Sequence, residues 1–134
     1  LTGTFVVCRE LIPSLLETKG SIVNVSSTTA LAGIPYSVAY ASSKAGVLAL
    51  TKSLAVEYAK QGIQVNCVNP GGIKTAMTKM PPIDDMDMDL LLRQNPLTPF
   101  AEPEAVAGLI AFLASDEGRH INGEYVRIDG AALA

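Results

Sequence analysis

Two short β-branched runs, SIVNV at residues 21–25 and IQVNCV at residues 63–68, are held apart by a long Ala-rich stretch of helical periodicity, and this spacing constrains the fold most. A hairpin needs only a few residues between its strands, whereas a connection that contains a helix is the crossover of a parallel pair. The rest of the chain repeats the alternation. Residues 3–18 place Phe5, Cys8, Leu11, Ile12, Leu15 and Leu16 at helical spacing ahead of Lys19-Gly20. Residues 37–61 form the longest helix, with Val47, Leu48, Leu50, Leu54, Ala55 and Tyr58 in period and Gly62 as the stop. A helix over 102–114 opens on Glu-Pro-Glu, where proline fits the first turn and acidic charge is favoured, and residues 123–129 read as a third strand. This order predicts an α/β protein with a parallel sheet. The strands are apolar on both faces, as strands covered from both sides are, so more than three are expected. The chain reads as about half of a doubly wound parallel sheet.

A length of 134 residues suits one domain. Hydrophobic residues make up 49% and charged residues 17%, a globular balance, and no apolar run approaches the roughly 20 residues of a membrane-spanning helix. A net charge of −3 without a Lys or Arg stripe argues against nucleic acid, whose backbone needs several phosphates neutralised on one face. Cys8 and Cys67 sit inside apolar periodic segments as small hydrophobes, which fits a reducing, cytoplasmic setting. No metal site is expected. His120 is the only histidine, and Asp85-x-Asp87-x-Asp89 begins like a calcium loop but has Leu90 for the glycine and Pro96 for the bidentate glutamate.

The informative constellation is Tyr40-Ala-Ser-Ser-Lys44 on the first turns of the long helix. Residues i and i+4 share a helical face, so phenol and ammonium can approach each other. A free phenol ionises only near pH 10, and a neighbouring cation favours the phenolate. The same spacing is also what any amphipathic face presents, so context decides. Ser27 follows the first strand at its carboxyl end, where doubly wound folds bind ligands, although Ser26, Ser27, Thr28 and Thr29 would equally cap and turn a chain leaving a strand. At the end of the second strand, Asn66-Cys-Val-Asn-Pro70-Gly71-Gly72-Ile73-Lys74-Thr75 offers backbone that can approach a flat amide-bearing ring, and a hydroxyl for a phosphate. A plain strand-ending turn is the other reading of that segment.

Together these elements resemble the short-chain dehydrogenase/reductase family. The match lies in paired serines ending a strand, the interval from Ser27 to the tyrosine of YxxxK at Tyr40, NxxxPG at Asn66 to Gly71, Ile73 and Thr75, and the final EPE, LASD and NG…DG elements. The resemblance covers the whole chain and implies a Rossmann-like fold and an NAD- or NADP-dependent oxidoreductase. It implies hydride transfer between NAD(P) and a secondary alcohol or ketone. Tyr40 would be the general acid/base. Lys44 would assist it and bind the nicotinamide ribose, and Ser27 would hydrogen-bond the reacting oxygen. Pro70 and Gly71 would border the cofactor, Ile73 would meet the carboxamide through its backbone, and Thr75 would approach the diphosphate. The family's glycine-rich phosphate turn and its tetrad asparagine do not occur in this sequence, so the resemblance implies a fragment or truncated record whose N-terminal half is missing. Pro99, Ala101 and Ala131 depart from common family residues without touching the chemistry.

Residues 76–100, rich in Met, Asp and Pro, read as a substrate lid with a short helix over about 86–94; their Met and Leu residues would either line a pocket or form the buried face of that helix. The resemblance further implies a homo-oligomer, tetramer or dimer, assembled through the helices at 3–18 and 38–61, with Val6, Val7, Val47, Ala49 and Ala59 on the shared faces. Competing functions are a catalytically inactive binding subunit, an inert truncated product, and an epimerase or dehydratase relative, which the short C-terminal tail disfavours.

Overall fold

The computed structural model describes residues 1–79, 85–93 and 95–134. Helix α1 (Thr2–Thr18) leads into strand β1 (Ser21–Val25), and helix α2 (Val38–Tyr58) crosses to strand β2 (Gln64–Pro70). A short helix α3 (Met88–Leu92) and helix α4 (Pro103–Ala114) then lead to strand β3 (Tyr125–Ile128). The strands lie in the order β1-β2-β3 and both pairs are parallel, with Val25 opposite Val68 and Pro70 opposite Ile128. The crossover reading of the spacing therefore holds, and among the described residues the sheet has three strands.

Stop signals act where the sequence places them. Lys19 ends α1 in the left-handed region, φ 50°, with its N–H donating to the Leu15 carbonyl. Gly62 closes the 3₁₀ turn Ala59–Gln61 after α2 at φ 89°, a conformation glycine adopts without a Cβ penalty. Between these ends, Ile12 of α1 and Ala55 of α2 pack with Ile63 and Val65 into the main apolar cluster, joined by Leu15, Ile22, Leu54 and Tyr58. Val47 is buried inside α2 rather than lying on an outward face, so it is removed from the predicted oligomer surface. Val6, Val7, Ala49 and Ala59 are exposed as expected. Among the described residues no helix is long and apolar enough to cross a membrane.

Strand β2 is the buried centre of the sheet, and it runs past the predicted end at Val68. The reason is its two-sidedness. Toward β3 the ladder continues, with Gly71 N–H donating to the Ile128 carbonyl at 3.0 Å. Toward β1 the last backbone bond runs from Ser26 N–H to the Val68 carbonyl at 2.9 Å, and the next donor in a parallel ladder would be the nitrogen of Pro70, which carries no hydrogen. At its other end β3 begins later than predicted. Side-chain amides interrupt the ladder there: Asn66 accepts from the Glu124 N–H and Asn122 from the Val65 N–H, while Gly123, at φ 79°, still donates its N–H to the Val65 carbonyl. Cys8 and Cys67 are both free and buried, and burial pushes both thiols up, with the Asn24 hydrogen bond partly opposing this at Cys8.

Candidate active site

Where β1 ends, Ser26 and Ser27 are held from three directions. Ser26 Oγ donates to the Lys44 carbonyl at 2.8 Å, tying the strand end to α2. Ser27 caps the 3₁₀ turn Thr28–Ala30, its Oγ accepting the Thr29 N–H at 3.2 Å. Asn69 Nδ2 donates to the Ser27 carbonyl at 3.1 Å. Turn capping and proximity to the other candidate residues thus coexist at Ser27.

Tyr40 and Lys44 lie on the first turns of α2 and share one face, as i and i+4 must. The Lys44 ammonium stands 5.7 Å from the centre of the Tyr40 ring and donates to the Val25 carbonyl at 3.0 Å. The cation is therefore anchored on the end of β1 and faces the ring. Tyr40 is 38% exposed, open enough for its hydroxyl to meet a ligand.

After β2, Gly71 and Gly72 are required by close packing. A Cβ on Gly71 would come within 2.8 Å of Asp129 Cβ and 2.9 Å of Asp129 Cα, and one on Gly72 would meet the Phe100 ring at 2.7 Å. Ile73 forms an isolated parallel bridge with Ala101. Its two bonds, Ala101 N–H to the Gly72 carbonyl at 3.1 Å and Lys74 N–H to the Ala101 carbonyl at 2.9 Å, use the residues flanking Ile73. The amide and carbonyl of Ile73 itself face away from Ala101, while its side chain is buried. Thr75 opens the next turn, where Thr78 Oγ1 pairs with the Thr75 backbone.

One cleft of about 430 Å³ is lined by Ser27, Tyr40, Lys44, Pro70, Gly71, Ile73 and Thr75, so the expected catalytic and cofactor-binding residues converge on it. A second chamber of about 250 Å³ adjoins it, sharing Ser27, Tyr40, Gly71 and Met77 and otherwise walled by residues such as Ile34, Pro35, Leu91 and Phe100. Ser27 and Tyr40 thus stand on the partition. The sequence reading missed Val106 and Ile110 of α4, which wall the first cleft, and Ile34, Pro35 and Phe100 of the second. The spacing of 103, 106, 107 and 110 along one helical stripe was the available signal for α4.

Of the lid, Met80, Pro81, Pro82 and Gln94 lie outside the described residues. The short helix is α3, narrower than the expected span. None of its residues is buried, so its Leu side chains are not a packed core face, and Leu91 lines the second chamber. Asp87 caps α3 by accepting the Asp89 and Leu90 N–H groups, which accounts for one of the aspartates without a cation. The Asp87 N–H donates to Tyr36 Oη at 3.0 Å, linking the lid to the loop after Ser27. Among the described residues no cluster could hold a metal ion, and His120 is exposed.

A parallel α/β sheet with a crevice at the carboxyl ends of its strands defines a class of ligand-binding folds. Within that class the chain belongs to the short-chain dehydrogenase/reductase family, since residues 1–131 match the family model described as enoyl-(acyl carrier protein) reductase. The chain is 44% identical over 134 residues to the 3-oxoacyl-[acyl-carrier-protein] reductase FabG of Thermotoga maritima, covering 99% of this chain and 54% of that protein. It is 36% identical to the uncharacterized oxidoreductase YxbG of Bacillus subtilis, covering all of this chain and 51% of that one. Among solved structures it is similar to a 4-hydroxyisoleucine dehydrogenase mutant complexed with NADH and succinate (TM-score 0.86, 33% identity), covering 99% of this chain and 56% of that one. It is also similar to ElxO with NADP bound (TM-score 0.84, 36% identity), covering 99% of this chain and 54% of that one. The chain spans about half the length of the curated relatives it matches.

Proposed function

We propose that this chain carries the proton-transfer half of an NAD(P)-dependent oxidoreductase acting on a secondary alcohol or ketone. The observation that carries the reading is the partition: Ser27 and Tyr40 border both clefts, so one hydroxyl pair can reach a substrate oxygen from either side. Solved relatives with NADH or NADP bound support a nicotinamide cofactor in the larger cleft.

The residues of that cleft fit such a group. Ile73 turns an amide donor and a carbonyl acceptor away from its bridge partner, the pairing a carboxamide needs. Lys44 supplies a cation and, with one N–H given to the Val25 carbonyl, two further donors for ribose hydroxyls, and Thr75 supplies a hydroxyl among the lining residues. Bound there, the cofactor would supply or accept hydride. In the oxidative direction Tyr40 takes the hydroxyl proton of the alcohol while Ser27 holds the oxygen; in the reductive direction Tyr40 returns it. The Lys44 ammonium holds a positive charge 5.7 Å from the centre of the Tyr40 ring. The smaller chamber, walled by Ile34, Pro35, Leu91 and Phe100, suits an apolar flank on the substrate, with Met77, Asn95 and Pro96 of the expected lid segment also on its wall.

Tyr40→Phe tests the reading in the protein that contains this chain. Turnover is expected to fall by at least about 10²-fold, within the 10²–10⁴-fold range of acid–base catalysis, with NAD(P)H affinity by nicotinamide fluorescence unchanged. Retention of more than about a tenth of the rate would remove Tyr40 from the proton transfer.

A further inference from the structure

We infer that Asn69 is a positioning residue that fixes Ser27 from behind, an inference that rests on the reading of Ser27 as the hydroxyl that holds the substrate oxygen. Asn69 is fully buried at the carboxyl end of β2. The ladder between β1 and β2 stops beside it because Pro70 has no N–H to offer the chain leaving β1. One residue further along that chain, the Ser27 carbonyl still needs a donor, and Asn69 Nδ2 provides it at 3.1 Å. The side chain thereby extends the ladder by one rung and sets the backbone of Ser27, a residue that lines both clefts.

The other half of the amide argues that this placement is not there for stability. Asn69 Oδ1 is sealed from solvent with no hydrogen-bond partner among the described residues. A buried acceptor left unmade costs more than a made hydrogen bond returns, so an apolar residue with a rearranged turn would serve the fold at least as well. What only a donor at this position supplies is a fixed Ser27. The Ser27 backbone is extended, φ −167° and ψ 158°, and its Oγ also accepts the Thr29 N–H, so the peptide on the Asn69 side and the hydroxyl on the Thr29 side are held together.

The test is a double-mutant cycle in the protein that contains this chain, reading kcat, cofactor affinity and thermal melting for Asn69→Ala, Ser27→Ala and the pair. Asn69→Asp, of the same size but presenting oxygens to the Ser27 carbonyl, is read in parallel and carries the test should Asn69→Ala not fold. Expected is a fall in kcat of about tenfold for either Asn69 variant with cofactor affinity within twofold, shrinking to less than twofold when Ser27 is already alanine. A kcat within twofold of the parent for both Asn69 variants, or a loss that adds in full to that of Ser27→Ala, would overturn the positioning role while leaving the site intact. If Ser27→Ala itself leaves kcat unchanged, the assignment of Ser27 falls first and takes this inference with it.

Discussion

Gly71→Ala is the sharpest steric test of how the two strand ends build the site. The added Cβ would lie 2.8 Å from Asp129 Cβ and 2.9 Å from Asp129 Cα. Ordinary carbon contacts begin near 3.5 Å, so the strand ends must separate by about 0.6 Å or more. Neither partner is the tip of a flexible side chain: one is backbone, and both belong to the residue that follows β3. Overpacking of this kind costs about 1–3 kcal/mol, and displacement of a binding residue by about 1 Å can cost 10²-fold in rate. Gly72→Ala is predicted to be milder because its clash is with the Phe100 ring, which can swing aside, and Gly33→Ala meets nothing within 4 Å. Thermal melting and kcat/KM for the three variants should therefore rank Gly71 worst, Gly72 next and Gly33 nearly neutral. A Gly71 variant as stable and active as the Gly33 variant would refute the close-packing account.

Two further outcomes follow from burial. Because burial raises the Cys67 thiol, the unfolded chain ionises there first as pH rises above about 8.5, so the folded state loses up to about 1.4 kcal/mol per pH unit from this group until its raised value is reached; urea melts at pH 8 to 10 should show a shallower decline for Cys67→Ala, and an identical slope would contradict it. Val56 on α2 is 84% exposed and shares the helix with the exposed small residues Ala49 and Ala59, so a homo-oligomer built through this helix should fall toward smaller species with Val56→Asp, and an unchanged mass by light scattering would exclude that face.

Periodicity located the elements because the long-range partners of each strand are themselves strands, and burial on both faces leaves an unbroken apolar run. The site residues were legible for a related reason: strand ends and the first turns of α2 are fixed by the same alternation that fixes the sheet, so Ser27, Tyr40, Lys44 and the segment after Pro70 had only one place to meet. What was not legible depends on distance between segments far apart in sequence. Nothing in the α4 sequence separates Val106 and Ile110 from residues that cover a sheet, and Phe100 is assigned a wall only by its contact with Gly72. Asn69 read as one more turn former. Its role depends on Pro70, whose missing N–H matters only on the side facing β1. Val47 was misplaced because α2 is apolar or small around much of its circumference, and such a helix does not announce which side faces inward.

The bridge between Ile73 and Ala101 splits a single residue between two tasks. Its side chain fills a buried space, and its amide and carbonyl face away from Ala101. Any residue of similar volume at 73 would present the same amide and carbonyl, so evolutionary drift in that side chain would be silent to a ligand held by the backbone. What guards such a contact is the pair of bonds made by Gly72, Lys74 and Ala101. A proline at 74 or 101 would remove a donor from that pair and disturb the Ile73 main chain without replacing any side chain that lines the cleft.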